Sequence, residues 1–270
     1  MIASLIWILL GGYSGSAGPI VYFFNVGQGD AAFIRNAAGY NILIDGGPDS
    51  LVLKKLGLIL PFWERRLDYL ILSHPHDDHL LGLIEISRRY QIGQVIRPDY
   101  SPSNYQIELF SRLNSGRETK ITAPDKIILG PGCYLEFFQP DLAANPNEDL
   151  NGISLLSKLS CHGANFLFTG DAGKTQEGKL LEEKADLKAT VIKIGHHGSK
   201  TASGADFLAA VGAKAAFISV GKDNKYGHPA SEILARLEDL GIKIFRTDEP
   251  ADWRILFNNS QYYIKKLLLD

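Results

Sequence analysis

The segment SHPHDDH, residues 73–79, places three of the chain's seven histidines and two aspartates within seven positions. A solvated charged turn favours Lys and Glu, whereas imidazoles alternating with carboxylates are the ligands that a divalent transition metal prefers. His74 and His76 should point to one side of an extended loop, and Asp78 and His79 follow closely enough to face a second ion. The spacing H-x-H-x-D-H therefore predicts a site for two metal ions.

Two further polar clusters end apolar strands, TGD at residues 169–171 and GHHGS at residues 195–199. Taken alone, an Asp after Gly is usually a turn or a helix cap, and a lone His after a strand is usually satisfied by the backbone. In α/β folds, however, the loops that follow strands carry the chemistry. Because three such clusters occur in one chain, we expect them to converge on one site.

The hydrophobic pattern alternates between strand and helix periods, and the chain contains no long polar linker. Short apolar runs at residues 21–26, 31–35 and 41–47 predict a meander, and a nearly continuous apolar strand at residues 67–73 leads through the histidine segment into a helix over residues 79–92. Strands and helices alternate in the second half as well. The expected fold is an α/β (αββα) sandwich, with two sheets packed face to face and helices outside.

Residues 2–10, IASLIWILL, form an apolar run that is followed by GGYSGSAG, a stretch suited to a signal-peptidase site. The run is too short to span a bilayer, and no Lys or Arg precedes Arg35. A weak signal peptide, the tail of a membrane segment from a longer protein and an apolar strand of the fold are the three alternatives. We expect residues 1–18 to lie outside a domain of residues 19–270, and favour an extracytoplasmic or membrane-associated location, leaving a cytoplasmic one open.

Composition and charge describe an ordinary globular protein, with 270 residues, 45% hydrophobic content and a formal net charge of −2. Such a chain has no basic field that could hold nucleic acid by counterion release alone, so any polyanion must be bound locally. Cys133 and Cys161 lie in predicted strands outside any C-x-x-C spacing, so a disulfide and the redox compartment stay open. His162, in the probable turn sequence CHGAN, is expected to face solvent.

Six motifs follow one another in an order found in a known family: FFNVGQGDAAFI, ILIDGG, LSHPHDDH, LFTGD, KIGHHGS and NKYGHP. The HPHDDH segment matches the metal motif of the metallo-β-lactamase fold superfamily, and the full set resembles the metallo-hydrolase domain of the ComEC competence proteins, the DNA-internalisation channels. The resemblance spans about residues 20–257. It implies a metallo-β-lactamase fold of two central mixed β-sheets flanked by helices, and it is more specific for fold and site than for substrate.

The resemblance also implies imidazole and carboxylate ligands for two ions. They are His74 and His76 for the first ion, Asp78 and His79 for the second, and Asp171 as the bridge between them. One histidine of the pair at 196 and 197 completes the second site; we prefer His197 as the ligand and place His196 near the substrate, although the sequence does not decide between them. Mixed histidine and carboxylate ligands suit zinc or manganese, so the expected cofactors are two divalent ions, with no nucleotide cofactor.

Four residues are expected to support these ligands: Asp30, Asp45, Asn151 and Ser154. Asp45, in LIDGG, resembles an aspartate that orients the histidine loop, with a capping Asp in a glycine turn as the alternative. Asn151 and Ser154 occupy the region where many superfamily members carry another histidine, so the first ion is expected to be bound more loosely or to hold an extra water. Asp30 lies with Gln28 in the turn VGQGD beside the site, but Asn25 replaces the family's usual aspartate, which puts a supporting role for position 25 in doubt.

Other residues are expected to act on the substrate. Besides serving as a ligand, Asp78 is expected to take part in catalysis by keeping, with Asp171, the net charge of the cluster low. His196, His228 or Tyr226 would protonate the leaving group or stabilise the developing oxyanion. For His228, a role in helix entry before a proline is an equal alternative.

Ser199, Lys200 and Thr201 follow GHHG directly and precede a predicted helix. Their hydroxyls, backbone N–H groups and single cation resemble a phosphate-binding turn. Lys200 could equally be a solvated surface lysine.

The leading functional hypothesis is a metal-dependent phosphodiesterase acting on DNA, a nuclease that degrades the non-transported strand during DNA uptake. Its expected partners are single-stranded DNA as substrate and a membrane channel. A hydrolase of small phosphoesters such as phosphocholine, or of lactones or thioesters, on the same metal centre is the first alternative, and a non-catalytic domain that docks DNA or a channel is the second. An open basic groove favours DNA, whereas a closed apolar pocket favours a small substrate.

Overall fold

The computed structural model describes residues 17–99, 104–138, 150–249, 251–258 and 261–268. Within these ranges the chain forms two mixed β-sheets and six α-helices. Residues 1–16, which make up most of the predicted N-terminal segment, lie outside the described residues. Among the described residues, no helix combines the length and the apolar character needed to cross a bilayer.

The first sheet has eight strands in the order β15-β14-β1-β2-β3-β4-β5-β6. Strands β3 to β6 pair in parallel, and the remaining pairs of the sheet are antiparallel. The strand bounds are β1 Ala17–Phe23, β2 Ala32–Arg35, β3 Asn41–Ile44, β4 Arg66–Ile71, β5 Gln91–Pro98, β6 Glu118–Ile121, β14 Asp252–Asn258 and β15 Gln261–Leu267.

The second sheet has seven strands in the order β13-β12-β11-β10-β9-β8-β7. Strands β10 to β13 are parallel, whereas β7 to β10 form an antiparallel meander. The strand bounds are β7 Asp125–Ile128, β8 Cys133–Phe137, β9 Ser157–Cys161, β10 Ala164–Phe168, β11 Val191–Lys193, β12 Ala215–Ile218 and β13 Lys243–Arg246.

The two sheets pack face to face, and helices cover both outer faces. Between the sheets, Phe23 of β1 stacks on Phe217 of β12 with ring centroids 4.3 Å apart. Burying each such ring contributes about 1.5–3 kcal/mol to stability. Helices α1 to α3 cover the first sheet and α4 to α6 the second. Their bounds are α1 Leu51–Ile59, α2 Asp77–Arg89, α3 Tyr105–Leu113, α4 Lys174–Glu182, α5 Ala205–Val211 and α6 Ser231–Asp239. The predicted αββα sandwich is therefore confirmed.

Several element boundaries differ from the prediction. Strand β1 begins at Ala17 and includes Gly18, two residues expected to lie outside the domain, because it pairs with β14 there. Helix α2 ends at Arg89 rather than at residue 92, since Gln91 already pairs with Arg66 of β4. Strand β11, which leads towards the GHHG segment, is only three residues long, and the chain turns sharply through that segment.

The two cysteines face each other across neighbouring antiparallel strands and form a disulfide. Cys133 lies in β8 and Cys161 directly opposite it in β9. The hairpin from β9 to β10 turns through His162 and Gly163, both of which have a positive φ, as a two-residue hairpin turn requires. His162 is exposed there, as predicted. Disulfides of this kind persist in oxidising compartments.

We expect the double substitution Cys133→Ser, Cys161→Ser to lower the free energy of unfolding by about 3.5 kcal/mol, because the cross-link closes a loop of 28 residues and restricts the unfolded chain. Urea unfolding of both proteins measures the difference. Dithiothreitol should reduce the stability of the parent protein by a similar amount and leave that of the double variant unchanged. A loss below about 1 kcal/mol would contradict a stabilising disulfide.

Candidate metal centre

The three polar clusters predicted from the sequence meet at one edge of the sandwich. His74 follows β4, Asp171 follows β10 and His197 follows β11, so each lies just beyond the carboxyl end of its strand. Asp30, in the turn between β1 and β2, reaches the same place. Parallel strands carry their following loops to one edge of a sheet, which explains how residues more than 100 positions apart come together.

One carboxylate oxygen lies at the centre of the cluster. The Nε2 atoms of His74, His79 and His197 are 3.9, 3.5 and 3.4 Å from Oδ2 of Asp171. All four side chains are almost completely buried. Three imidazoles from two segments thus face one carboxylate on a third, the arrangement expected when cations lie between them.

Each of these three rings is held through its other nitrogen. Nδ1 of His79 lies 2.9 Å from Oδ2 of Asp45, and Nδ1 of His197 lies 2.9 Å from the carbonyl oxygen of Ser219. Nδ1 of His74 lies 3.1 Å from Oγ of Ser73. A hydrogen bond at Nδ1 fixes the orientation of the ring and leaves Nε2 to bind a metal, which is the usual support for ligating histidines.

Asp45 ties the histidine loop to the end of β3. Its Oδ1 accepts a hydrogen bond from the Ser73 backbone N–H at 2.8 Å, and its Oδ2 accepts one from the Ser73 hydroxyl at 2.7 Å. The glycine turn that follows packs directly on helix α2: a Cβ on Gly82 would lie 1.8 Å from the carbonyl oxygen of Gly46. Only glycine fits this contact, so the LIDGG turn and α2 hold the histidine loop from both sides.

Asp78 and His76 occupy opposite sides of the cluster. Oδ2 of Asp78 is 3.1 Å from Nε2 of His197, and its Oδ1 is 4.0 Å from Nε2 of His79. Nδ1 of His76 is 3.0 Å from Nε2 of His74. In the described residues the candidate ligand atoms fall into three overlapping groups, each within 4.8 Å: His74, His79 and Asp171; Asp78, His79 and His197; and Asp30, Asp45 and His79.

Burial and mutual charge perturb the pKa values of these groups strongly. Burial raises the pKa of Asp171, but His197, His79 and Lys193 outweigh it and hold that pKa well below the usual value. Burial lowers the pKa of His197, but Asp171, Asp30 and Asp78 raise it to about 9. Metals bind the deprotonated imidazole, so cation binding would displace a proton from His197.

His74 differs from the other two central histidines. Burial, followed by the charge of His79, holds its pKa well below the usual value of histidine, so it is neutral at pH 7. For His79, burial lowers the pKa, but Asp171 and Asp45 raise it well above 6.5. His74 therefore offers a lone pair to a cation without first losing a proton.

A buried lysine completes the cluster. Lys193, the last residue of β11, forms an ion pair with Asp30, lies 3.5 Å from Oδ1 of Asp171 and donates a hydrogen bond to the Gly170 carbonyl oxygen at 2.9 Å. Burial alone would lower its pKa, but Asp30 and Asp171 raise it, so the lysine is charged. It binds Oδ1 of Asp171 and leaves Oδ2 to face the histidines.

The two histidines at 196 and 197 have different surroundings. Both have left-handed backbone conformations, with φ of 49° and 53°, a strained state for non-glycine residues that is typical of functional sites. His197 points into the cluster, whereas Nδ1 of His196 lies 3.3 Å from Oγ1 of Thr201 and the ring lines the cleft outside. This placement agrees with our preference for His197 as the ligand.

The expected phosphate-binding turn is not part of the cleft lining. Ser199 and Thr201 bond each other, with 2.9 Å between their hydroxyl oxygens, and Lys200 is exposed. Helix α5 begins only at Ala205, and the backbone N–H groups of Ser203 and Gly204 just before it donate to the Glu177 carboxylate. Phosphate binding by these three residues stays a prediction; Thr201 contacts the site through His196.

An open cleft of about 460 Å³ lies over the cluster. Polar side chains dominate its lining: Gln28, His76, Asp77, Asp78, Asn104, Asn151, Asp171, His196, His197, Tyr226 and His228, with Pro75 and Leu150. His228 lies between His196 and Tyr226, with ring centroids 5.7 Å from each. Burial and the charge of His196 lower the pKa of His228, so it is neutral at pH 7.

The remaining supporting residues hold the loops. The Ser154 hydroxyl accepts a hydrogen bond from the Asp171 backbone N–H at 3.1 Å, and Asn151 lies in the one-turn helical segment that ends directly before Ser154 and lines the cleft. Gln28 accepts a hydrogen bond from the Gly221 backbone N–H at 3.1 Å. Asn25 donates its backbone N–H to Asp252 and so supports the turn rather than the ligands.

These residues fit a divalent metal centre. Nε2 of His79 is buried without a hydrogen-bond partner in the described part of the chain, although it faces Asp171. A buried polar atom left unpaired costs about 1–3 kcal/mol. A cation at this point would satisfy it, and the donor set of imidazole nitrogens and carboxylate oxygens suits zinc or manganese.

Sequence reasoning missed Ser73, Lys193 and Ser219. Ser219 acts through its backbone carbonyl, which leaves no signature in the residue type. Lys193 does have a signature in the sequence. It lies inside the apolar strand VIKI, and a lysine in a strand that is buried on both faces needs a carboxylate partner.

We expect Lys193→Met to lower the free energy of unfolding by about 3–5 kcal/mol in the presence of a chelator, because it leaves two buried carboxylates without their ammonium partner. Urea unfolding measures the change. Lys188→Met, at an exposed lysine close by, should change stability by less than about 0.5 kcal/mol. Equal, small effects of both substitutions would show that the buried ion pair does not stabilise the fold.

Solved structures share this architecture. The metallo-beta-lactamase fold protein YhfI from Bacillus subtilis superposes with a TM-score of 0.55 at 12% identity, covering 84% of this chain and 95% of that one. Zn(2+)-bound PqqB from Methylobacterium extorquens gives a TM-score of 0.56 at 10% identity, with coverage of 84% and 97%. At these identities the likeness concerns the fold alone.

The relatives in sequence include a protein named for competence. The chain is 28% identical to ComE operon protein 3 of Bacillus subtilis (strain 168) in an alignment of 268 residues that covers 88% of this chain and 33% of that protein. It is 30% identical to competence protein ComA of Neisseria gonorrhoeae in an alignment of 232 residues that covers 84% of this chain and 31% of that protein. The chain thus spans about a third of the length of these relatives.

A family model assigns the fold and the site together. The model of the metallo-beta-lactamase superfamily matches residues 24–222, a range that contains the histidine loop, Asp171 and His197. Together with the two mixed sheets and the convergent imidazoles, this match shows that the chain belongs to the metallo-beta-lactamase superfamily.

Proposed function

We propose that this protein is a phosphodiesterase that uses two divalent metal ions, zinc or manganese, to cleave DNA. One observation carries the proposal: three imidazole nitrogens surround Oδ2 of Asp171 at the floor of an open cleft, and the Asp78 carboxylate lies 3.1 Å from one of them, Nε2 of His197. Two cations held there would polarise a phosphoryl group and bring the pKa of a bound water near neutrality.

The chain's own residues would bind and orient the substrate around that centre. Asp78 and Asp171 are both ionised, since nearby histidines lower their pKa values despite burial. The net charge of a loaded site therefore stays low enough to admit an anion and to release it. His196 and the neutral His228 line the cleft, where a ring N–H can donate to a phosphate oxygen or to the leaving group.

The form of the cleft favours a polymeric substrate over a small ester. Lactones and thioesters with apolar substituents suit closed apolar pockets, whereas this cleft is open and most of its lining residues are polar or charged. Phosphocholine carries a quaternary ammonium that aromatic cages bind, but Nζ of Lys225 lies 5.4 Å from the ring of Tyr226 and would repel it.

The biological setting of the proposal comes from the relatives. One of them is named competence protein ComA and another ComE operon protein 3, and this chain corresponds to about a third of each. We infer that the domain acts in DNA uptake, outside the cytoplasm or at a membrane, with a channel as partner. The disulfide between Cys133 and Cys161 supports an oxidising compartment. A purely docking domain would have no need of buried ligand histidines.

We expect the purified protein to release nucleotides from a 5′-labelled single-stranded oligonucleotide when Mn²⁺ or Zn²⁺ is added, and to stop when EDTA is added. His76→Ala and Asp78→Asn should each lower the rate by at least about 100-fold, because several kcal/mol of charge stabilisation is lost. Gel electrophoresis of the labelled strand measures the rate.

Lys120→Met, at an exposed position on β6, serves as the control and should keep the parent rate. Hydrolysis of p-nitrophenyl phosphate or phosphocholine esters without any release from DNA would contradict the proposal in favour of a small substrate. Release that survives both EDTA and the two ligand substitutions would show that the activity comes from elsewhere.

A further inference from the structure

The loop from Gly221 to Pro229 presents an exposed aromatic ring on a fixed backbone. Oδ1 of Asn224 accepts hydrogen bonds from the backbone N–H groups of Tyr226 and His228, at 3.2 and 3.0 Å. Nδ2 of Asn224 donates to the carbonyl oxygens of Gly221 and His228, at 3.0 and 2.6 Å. The loop is therefore ordered by its own hydrogen bonds, yet the Tyr226 side chain is 59% exposed.

Four rings form a row from the metal centre to the rim of the cleft. Successive centroids of His197, His196, His228 and Tyr226 are 6.2, 5.7 and 5.7 Å apart. The last two rings are nearly parallel, with an interplanar angle of 24°. Tyr226 lines the cleft and is largely exposed, so part of its ring is accessible to a ligand there.

The charge around this ring selects among ligands. Lys222 and Lys225 are exposed in the same loop, with Asp223 between them, and the Lys225 ammonium lies over the Tyr226 ring. Cationic ligands are disfavoured here, whereas a ligand that combines a flat π face with a negatively charged backbone matches both the ring and the lysines. Single-stranded nucleic acid is the polymer of that kind, and proteins bind it by stacking bases on aromatic rings beside cations.

We propose that Tyr226 is a base-binding subsite, on which a nucleobase of a single strand stacks while a neighbouring phosphate lies at the metal centre. The proposal rests on the phosphodiesterase function proposed above and names its substrate class. In a duplex both faces of an internal base are covered by its neighbours, so the subsite selects single strands or frayed ends. The aromatic face, rather than the hydroxyl considered from the sequence, is the part of Tyr226 that acts.

The test measures binding rather than turnover. A fluorescein-labelled oligothymidylate with phosphorothioate linkages, which resist hydrolysis, is titrated with the protein as purified and followed by anisotropy. Tyr226→Ala should weaken binding about tenfold or more, because stacking on an aromatic ring contributes substantially per base. Tyr226→Trp and Tyr226→Phe keep the aromatic face and should bind within about twofold of the parent protein.

A second strand of the same length, with abasic sites in place of the bases, separates stacking from other effects. The parent protein and Tyr226→Ala should bind the abasic strand equally. Tyr263→Ala removes another exposed tyrosine, on β15 outside the cleft lining, and should bind both strands as the parent does. Melting temperatures of all variants establish that they are folded.

Three results would overturn the subsite: no loss in Tyr226→Ala, an equal loss on abasic strands, or a loss in Tyr226→Phe as large as in Tyr226→Ala. The last would assign the effect to the hydroxyl. If the phosphodiesterase function alone is wrong, the result is different: the protein binds oligothymidylate through Tyr226 but does not cleave normal strands. Cleavage of normal strands, together with binding that does not depend on Tyr226, would contradict the proposed subsite and leave the phosphodiesterase function standing.

Discussion

A single oxygen atom, Oδ2 of Asp171, organises the functional end of this molecule. Three Nε2 atoms from two segments approach it to within 3.9 Å, and the Lys193 ammonium lies 3.5 Å from the other oxygen of the same carboxylate. Buried carboxylates repel one another unless positive charge compensates them, so this arrangement depends on the ammonium within the cluster. The rest of the site depends on keeping these loops in place.

The fold supplies that constraint largely through backbone contacts and short hydrogen bonds. Asp45 accepts a hydrogen bond from the Ser73 backbone N–H. Because Gly46 and Gly82 have no side chains, helix α2 can pack directly on the turn after β3. On the other sheet, the left-handed conformations at 196 and 197 turn one histidine inwards and leave the other in the cleft. The strain of these residues is balanced by the hydrogen bond from His197 to Ser219 and by the packing of the neighbouring loops.

Much of this could be predicted from the sequence, because strand patterns and metal ligands leave signatures in residue type. The αββα sandwich followed from alternating periods, and the ligand candidates from histidine and aspartate spacing. Lys193 was missed because its partners, Asp30 and Asp171, are distant in sequence, and Ser219 because it acts through a carbonyl. The start of α5 at Ala205 and the bond from the Ser203 N–H to Glu177 could not be predicted, because both depend on tertiary contacts.

The most direct test of the account locates the metals themselves. Crystals of the protein grown with Mn²⁺ or Zn²⁺, with anomalous scattering recorded at the absorption edge of each metal, would show the ions and their neighbours. The account predicts two ions per chain on either side of Asp171, with His74 and His76 beside one, and Asp78, His79 and His197 beside the other. No ion at Asp171, or ions bound only at surface carboxylates, would contradict it.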